Sequence, residues 1–229
     1  MVLEGRRFRA LTFDCYGTLI DWEKGMRAAV SEVKGLAGCD VERLLRDREQ
    51  AEHELLAGPY RIYSGILGDS LRTAAGAQGR TLAYGEILGF VNTMNRWPPF
   101  PDTGRAILRL AVSYPLAILS NVETKVLETS IKKIGAHFVA LITAEDIHSY
   151  KPAPKHWEAA LKRLHRPPDQ VLHVAGSLFH DVRPARALGF ETAWINRRGE
   201  PVPEDVDPGT VFADLTSLAD ALLGPVAVP

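Results

Sequence analysis

The chain has 229 residues, of which 46% are hydrophobic and 24% charged, with 27 Lys and Arg against 28 Asp and Glu. These proportions are ordinary for a globular enzyme, and the length allows one sizeable core plus a smaller second unit. The net charge of -1 argues against a nucleic-acid-binding surface and against a polyanionic substrate.

The cysteine content and the apolar segments indicate a location. The two cysteines, Cys15 and Cys39, give no disulfide framework and fit a reducing cytosol. The N-terminus lacks the uninterrupted apolar stretch of a signal peptide, and no run approaches the ~20 apolar residues that span a bilayer. The sequence therefore predicts a soluble cytoplasmic protein that binds neither membranes nor nucleic acid.

The first predicted strand ends in a carboxylate. Ala10–Phe13 is a short apolar run typical of a buried β-strand, and Asp14 follows it, before the turn residues Gly17 and Thr18. Ligands of an open parallel sheet bind at the carboxyl ends of its strands, so we expect Asp14 at the mouth of a cleft. There it can act as a nucleophile, a metal ligand or a general base. The alternative is an Asp that only accepts hydrogen bonds from turn N–H groups.

A long helical region follows this strand. Apolar residues recur at helical spacing from Leu44 to Met94, and no strand-like alternation interrupts them. Residues 22–97 are therefore predicted to form an inserted helical domain, and the Pro-rich segment 97–101 is a stiff return. Residues 1–21 and 98–229 are assigned to the core domain.

Strands and helices alternate from Asp102 onwards, where Asp102 or Thr103 can cap a helix. The predicted strands are residues 116–119, 139–142, 171–174, 192–195 and 211–213, and a helix is predicted over 181–188. Such alternation indicates a parallel sheet with right-handed crossovers, covered on both faces. The predicted fold is α/β, a doubly wound parallel sheet with a helical cap inserted after the first strand.

Three further loops carry polar side chains to the same edge of the sheet. Ser120 and Asn121 follow a predicted strand, and they can either bind an anion or cap the next helix. Lys151 precedes a proline and so lies outside any continuing helix, although a single Lys is commonly a solvated charge. Ser177 and Asp181 follow the strand at 171–174.

Taken together, these segments resemble the haloacid dehalogenase superfamily, and within it the L-2-haloacid dehalogenases. The stretch FDCYGTLID is similar to the first motif of the superfamily, ILSN to the second, YKP to the third, and GSLFHD to the fourth. Phosphatase members carry a second Asp where this chain has Tyr16, and an Asp where it has Ser177. The resemblance covers nearly the whole chain and implies the Rossmann-like core of that superfamily.

The resemblance also implies roles for individual residues. Asp14 is the nucleophile, Lys151 keeps it ionised, and Asp181 pairs with Lys151 and orients the hydrolytic water. Ser120 and Asn121 hold the substrate carboxylate and cradle the departing halide. The other substrate-binding residues are Cys15, Tyr16, Thr18, Ser177 and His180, with a small buried thiol as the alternative for Cys15.

One residue of the predicted cap is given a role. Arg46 aligns with the arginine that receives the halide in the resembled family, and Arg48 is a competing assignment. The third interpretation is a surface helix in which both arginines form i,i+4 pairs. We expect a homodimer from the resemblance alone.

The expected reaction is hydrolytic dehalogenation of short 2-haloalkanoic acids to 2-hydroxy acids through an aspartyl ester on Asp14. Only Asp14 and Asp181 remain as acids, which argues against a dedicated metal centre, and no cofactor is expected. A phosphatase that uses Mg²⁺ and the same nucleophile is the main alternative. A non-catalytic binding protein is the second, because Leu178 and Trp157 stand where the dehalogenases carry polar residues.

Overall fold

The computed structural model describes residues 8–225. The described chain divides into two compact units, one running to Asp21 and resuming at Pro99, the other formed by Trp22–Pro98. The predicted insertion, residues 22–97, ends one residue before this division. The described residues contain no helix that is both long enough and apolar enough to cross a membrane.

The first unit is built on a six-stranded sheet in which every neighbouring pair of strands is parallel. The parallel α/β fold predicted from the alternating pattern is confirmed. The strand order is β3-β2-β1-β4-β5-β6, so β1, which precedes Asp14, lies at the centre. The strands are β1 Ala10–Phe13, β2 Leu116–Ser120, β3 Ala140–Thr143, β4 Val171–Ala175, β5 Glu191–Ile195 and β6 Thr210–Phe212.

Helices connect and cover these strands. They are α5 Thr103–Ser113, α6 Thr124–Ile134, α7 Ala144–Ile147, α8 Lys155–Leu164, α9 Arg183–Ala187 and α10 Leu215–Leu223. Residues of β1 and β2 are fully or almost fully buried, as expected of strands covered on both faces. Trp157 of α8 and Phe190 pack with the small residues Ala10 and Ala117 in one cluster of the core.

The segment after β4 differs from its prediction. The first two residues of the helix predicted over 181–188 belong instead to a π-helical turn, Leu178–Val182, and α9 begins at Arg183. The Val182 N–H donates to the carbonyl of Ser177 at 3.1 Å, a bond that spans five residues instead of four. A π turn holds one more residue than an α-helical turn, and this changes the direction in which Asp181 points.

The points where the chain leaves and re-enters the first unit are tied together by Arg197. Its guanidinium donates to the Thr18 carbonyl at 2.9 Å and to the Asp102 carboxylate at 3.0 and 3.2 Å, and it lies 3.8 Å over the ring of Phe100. Asp102 or Thr103 was predicted to cap α5; Asp102 occupies the N-cap position, but its side chain makes no cap bond there. It accepts instead from Arg197 and from the Leu215 N–H, because a partly buried cation and the first turn of a second helix compete for it.

The second unit is helical within its described residues, as predicted. Its helices are α1 Trp22–Glu32, α2 Val41–Leu56, α3 Tyr63–Gly76 and α4 Tyr84–Asn92. Arg48 of α2 is only 2% exposed, and it bonds to Glu52, which also accepts from the Tyr63 hydroxyl at 2.6 Å. The guanidinium of Arg48 also lies 6.0 Å from the centre of the Trp22 ring.

Candidate active site

Two carboxylates and one ammonium meet at the carboxyl edge of the sheet. Asp14 follows β1, Lys151 follows α7, and Asp181 lies in the π turn after β4. The Lys151 Nζ donates to Asp14 Oδ1 at 2.8 Å, to Asp181 Oδ1 at 2.6 Å and to the Leu119 carbonyl at 3.0 Å. A lysine has three N–H donors, so all of them are used. Lys151 is therefore a fixed bridge that binds both acids.

The two acids differ in their access to solvent. Asp14 is 7% exposed, whereas Asp181 is 1% exposed and Lys151 2%. An attacking carboxylate has to reach its substrate, so this difference favours Asp14 as the nucleophile.

The ionisation of the site follows from burial and from these contacts. Burial raises the pKa of Asp14, and the Asp181 charge adds to this, while the Lys151 ammonium opposes both; the pKa lies above its ordinary value. Burial also acts on Asp181, but Lys151 and His173 outweigh it and lower its pKa to about 2. Burial disfavours the Lys151 ammonium, yet the two carboxylates raise its pKa. Lys151 and Asp181 are therefore charged at neutral pH, and the ionisation of Asp14 depends on Lys151.

Thr18 holds the second oxygen of the nucleophile. Its hydroxyl donates to Asp14 Oδ2 at 2.6 Å and accepts from the Gly176 N–H at 2.8 Å, and the residue is fully buried. The two loops approach so closely that a Cβ on Gly176 would lie 2.7 Å from the Gly17 carbonyl oxygen. Thr18 was predicted to bind the substrate; the structure places its hydroxyl between Asp14 and the loop after β4.

Cys15 and Tyr16 follow the nucleophile directly, Cys15 buried and Tyr16 half-buried. The Cys15 thiol is buried, and burial raises its pKa well above the ordinary range, so it stays protonated. The Tyr16 hydroxyl is hydrogen-bonded to Ser130 Oγ of α6 at 2.9 Å, and burial raises its pKa as well. Burial of Cys15 and the hydrogen bond of Tyr16 to Ser130 give both side chains a structural role. That either residue contacts the substrate stays a prediction.

Ser120 and Asn121, predicted to act as a pair, have different surroundings. The Asn121 amide donates to the Lys151 carbonyl at 3.2 Å and accepts from the Lys151 N–H at 2.7 Å, so it fixes the Lys151 backbone. The Ser120 hydroxyl is buried and has no hydrogen-bond partner within the described residues. Buried polar groups are rarely left unpaired. The hydroxyl is therefore suited to bind a ligand.

Ser177 and His180 shape the π turn. Ser177 Oγ accepts from the His180 N–H at 3.0 Å. The His180 Nδ1 lies 3.3 Å from the carbonyl oxygen of Lys151. Both residues are partly exposed. His180 therefore lies beside the Lys151 backbone, and the roles of both residues as substrate contacts stay predictions.

Sequence reasoning missed two residues behind this cluster. His173 Nε2 lies 3.2 Å from Asp181 Oδ1, and His173 Nδ1 lies 2.9 Å from Thr12 Oγ1. Thr12 of β1 and His173 of β4 face each other in the sheet register. The available signal was a single polar residue, Thr12 or His173, inside each of two apolar runs. A search for apolar periodicity does not detect such a residue.

The two arginines considered for halide binding belong to the helical unit. Arg46 is exposed on α2, whereas Arg48 is buried and paired with Glu52. Burial opposes the charge of Arg48, but Glu52 raises its pKa, so it stays a cation. The assignment of Arg46 stays a prediction.

The donor set of the site can be compared with the needs of a metal ion. Within residues 8–225, no three His, Cys, Asp or Glu side chains are grouped to hold one. Mg²⁺ prefers an octahedron of oxygen ligands. Here the Lys151 ammonium bonds to one oxygen of Asp14 and one of Asp181, which is where a cation bridging the two acids would bind.

Comparison with known proteins gives the family. The family model of the haloacid dehalogenase-like hydrolases matches residues 8–189. The (S)-2-haloacid dehalogenase of Pseudomonas putida is 28% identical over 95% of this chain and 98% of its own length. The haloacetate dehalogenase H-2 of Moraxella sp. strain B is 28% identical over 85% and 88%. A crystal structure of an L-2-haloacid dehalogenase superposes with a TM-score of 0.80 at 28% identity, covering 94% of this chain and 98% of that one. The chain belongs to the haloacid dehalogenase-like hydrolases.

Proposed function

We propose that the protein hydrolyses the carbon–halogen bond of short 2-haloalkanoic acids and releases halide and a 2-hydroxy acid. The observation that carries this proposal is Lys151 Nζ, 2.8 Å from Asp14 and 2.6 Å from Asp181. An ammonium, which needs no metal, neutralises the nucleophile and its neighbouring acid. The 2-haloacid and haloacetate dehalogenases similar to this chain over 85% or more of its length support the same substrate class.

In the first displacement, an Asp14 oxygen attacks the carbon that bears the halogen. A C–O bond forms as the carbon–halogen bond breaks, and the halide leaves with the bonding electron pair. The products are an aspartyl ester and free halide, so one difficult step is divided into two. The unpaired Ser120 hydroxyl and the Asn121 amide are assigned to the substrate carboxylate and the halide. The Arg46 cation is assigned to the halide, where positive charge stabilises the developing anion.

In the second displacement, water attacks the Asp14 carbonyl carbon. The bond between that carbon and the substrate oxygen breaks, the 2-hydroxy acid leaves with one proton of the water, and the other proton is released to solvent. Asp14 is thereby restored as a carboxylate. Asp181 orients this water together with Lys151, whose ammonium also stabilises the anion formed at the carbonyl oxygen.

The cellular setting completes the proposal. The free thiols Cys15 and Cys39 support a reducing, cytoplasmic location. A homodimer is inferred from the resemblance to the dehalogenases alone. Light scattering during size-exclusion chromatography tests it: a particle of one 25.2 kDa chain contradicts the dimer.

Halide release tests the activity. We expect the protein to release chloride from (S)-2-chloropropionate in the presence of EDTA, and more slowly from the (R) enantiomer. Asp14→Asn is expected to abolish release. A turnover in ¹⁸O-labelled water should leave label in the Asp14 carboxylate, because water attacks that carbon.

Two results would contradict the proposal. Cleavage of a phosphomonoester with Mg²⁺, without halide release, would establish the phosphatase. No activity in either assay would favour the binding protein.

A further inference from the structure

His173 is a buried titratable residue to which the two displacements assign no role. It lies inside β4 with no exposed surface. Both ring nitrogens are engaged, Nδ1 with Thr12 Oγ1 at 2.9 Å and Nε2 with Asp181 Oδ1 at 3.2 Å. An imidazole in an apolar strand is costly unless its nitrogens are paired, so the position of the ring depends on these two bonds.

The direction of one bond is fixed by its partner. Asp181 is ionised, because its pKa is lowered to about 2, and an ionised carboxylate can only accept hydrogen bonds. The Nε2 of His173 therefore carries a hydrogen and donates a hydrogen bond to Asp181. The Thr12 hydroxyl holds the other nitrogen, and the Trp157 ring packs edge-on at 5.6 Å between centroids. The ring is fixed in rotation by these three contacts.

Lys151 supplies only one of the two hydrogen bonds that orient Asp181. Its three N–H donors are divided among Asp14, Asp181 and the Leu119 carbonyl, so Asp181 receives one of them. That bond and the bond from His173 end on the same oxygen, Oδ1. Two donors from different elements constrain the direction of the carboxylate more tightly than one donor does.

We propose that His173 is a positioning residue of the second displacement, holding Asp181 beside Lys151 while Thr12 orients its ring. This inference rests on the proposed dehalogenation. Before the first displacement, Asp14 is held in position by Lys151 and by Thr18, so its orientation for the attack on carbon does not require a contact with Asp181. Once Asp14 is an ester it has lost its charge. The orientation of water then depends on Asp181, and that of Asp181 depends on His173.

The test separates the two steps in time. Enzyme and (S)-2-chloropropionate are mixed and quenched, and intact-protein mass spectrometry gives the fraction that carries the ester. For His173→Phe we expect hydrolysis of the ester to slow roughly ten- to hundredfold, the range for losing a hydrogen bond to a charged group. Ester formation should change little, so the ester should accumulate. His173→Gln, whose amide can still donate to Asp181, should recover most of the hydrolysis rate.

Two further variants control for packing. Leu172→Val disturbs a fully buried neighbour on the same strand, on its opposite face, and should keep the wild-type ester fraction. Thr12→Val removes the outer hydrogen bond with little change in volume and should shift the ester fraction as His173→Phe does, but less. If His173→Phe does not fold, His173→Gln and Thr12→Val carry the test.

The outcomes separate this inference from the proposed function. If the wild-type protein releases halide and the folded His173→Phe variant keeps the wild-type ester fraction, the role of His173 is overturned. The same holds if His173→Gln hydrolyses the ester no faster than a folded His173→Phe. If the wild-type protein releases no halide, the proposed function falls, and the role of His173 falls with it.

Discussion

Single residues decide the charge of this site, and substitution of Lys151 tests this most directly. Lys151 is the one cation bonded to both acids among the described residues. A pair of unit charges near 4 Å attracts by about 4 kcal/mol at an effective dielectric of 20. Lys151→Met should therefore lower kcat/KM at least about hundredfold. Lys155→Met, an exposed lysine close in sequence, is the matched control.

The pH profile gives this prediction a direction. Asp14 has to be ionised to attack, and its pKa is already raised by burial and by Asp181, with Lys151 opposing. In the wild-type protein, kcat/KM is lost as pH falls through this raised pKa. Without Lys151 the pKa rises further, so the acid limb should move to higher pH. A Lys151→Met profile with an unmoved acid limb would contradict this account.

Thr18 offers a second prediction at this scale. Thr18→Val removes the hydrogen bond to Asp14 Oδ2, which helps to lower the pKa of that carboxyl. A hydrogen bond to a charged group contributes about 1.5–3 kcal/mol. We expect kcat to fall roughly ten- to hundredfold and the acid limb to move to higher pH. Thr18→Ser keeps the hydroxyl and should stay near the wild-type rate; if it is as slow as Thr18→Val, the hydrogen bond is not the cause.

At the scale of elements, the π turn Leu178–Val182 fixes the direction of Asp181. Deleting Phe179, whose side chain is 58% exposed, would convert this segment to α-helical spacing and turn Asp181 away from Lys151. We expect a folded protein that releases no halide. Phe179→Ala keeps the chain length and should keep wild-type turnover. Circular dichroism and a thermal melt establish folding, and wild-type turnover in the deletion variant would contradict the role of the turn.

The same elements explain how far the sequence alone could predict the fold and the site. Ala10–Phe13, flanked by Asp14 and turn residues, predicted the central strand because its apolar run is bounded by chemistry that ends strands. The π turn escaped prediction, since apolar periodicity does not count the residues in one turn. His173 escaped because its partners, Thr12 and Asp181, come near it only through strand pairing and a turn.

At the scale of the whole molecule, every strand of the sheet and the cluster of Asp14, Lys151 and Asp181 belong to one unit. The Phe100 N–H donates to the Leu19 carbonyl at 3.0 Å, and Ile20 pairs with Pro99. The ends left by removing residues 22–98 are therefore adjacent. We expect a chain with a short Gly-Ser linker in place of these residues to fold with one cooperative transition but to release no halide, because Arg46 is gone. Halide release at the wild-type rate would contradict the role given to the helical unit.

The Arg197 contacts bear on whether the inserted helical unit can be replaced by another. The Arg197 guanidinium bonds to Thr18, which precedes the inserted segment, and to Asp102, which follows it. All three residues belong to the first unit. The loop that carries Asp14 and Thr18 is thus held by contacts that the inserted segment does not supply. We therefore expect that the insertion can be exchanged for another, with a change of substrate, while the reactive carboxylate keeps its position.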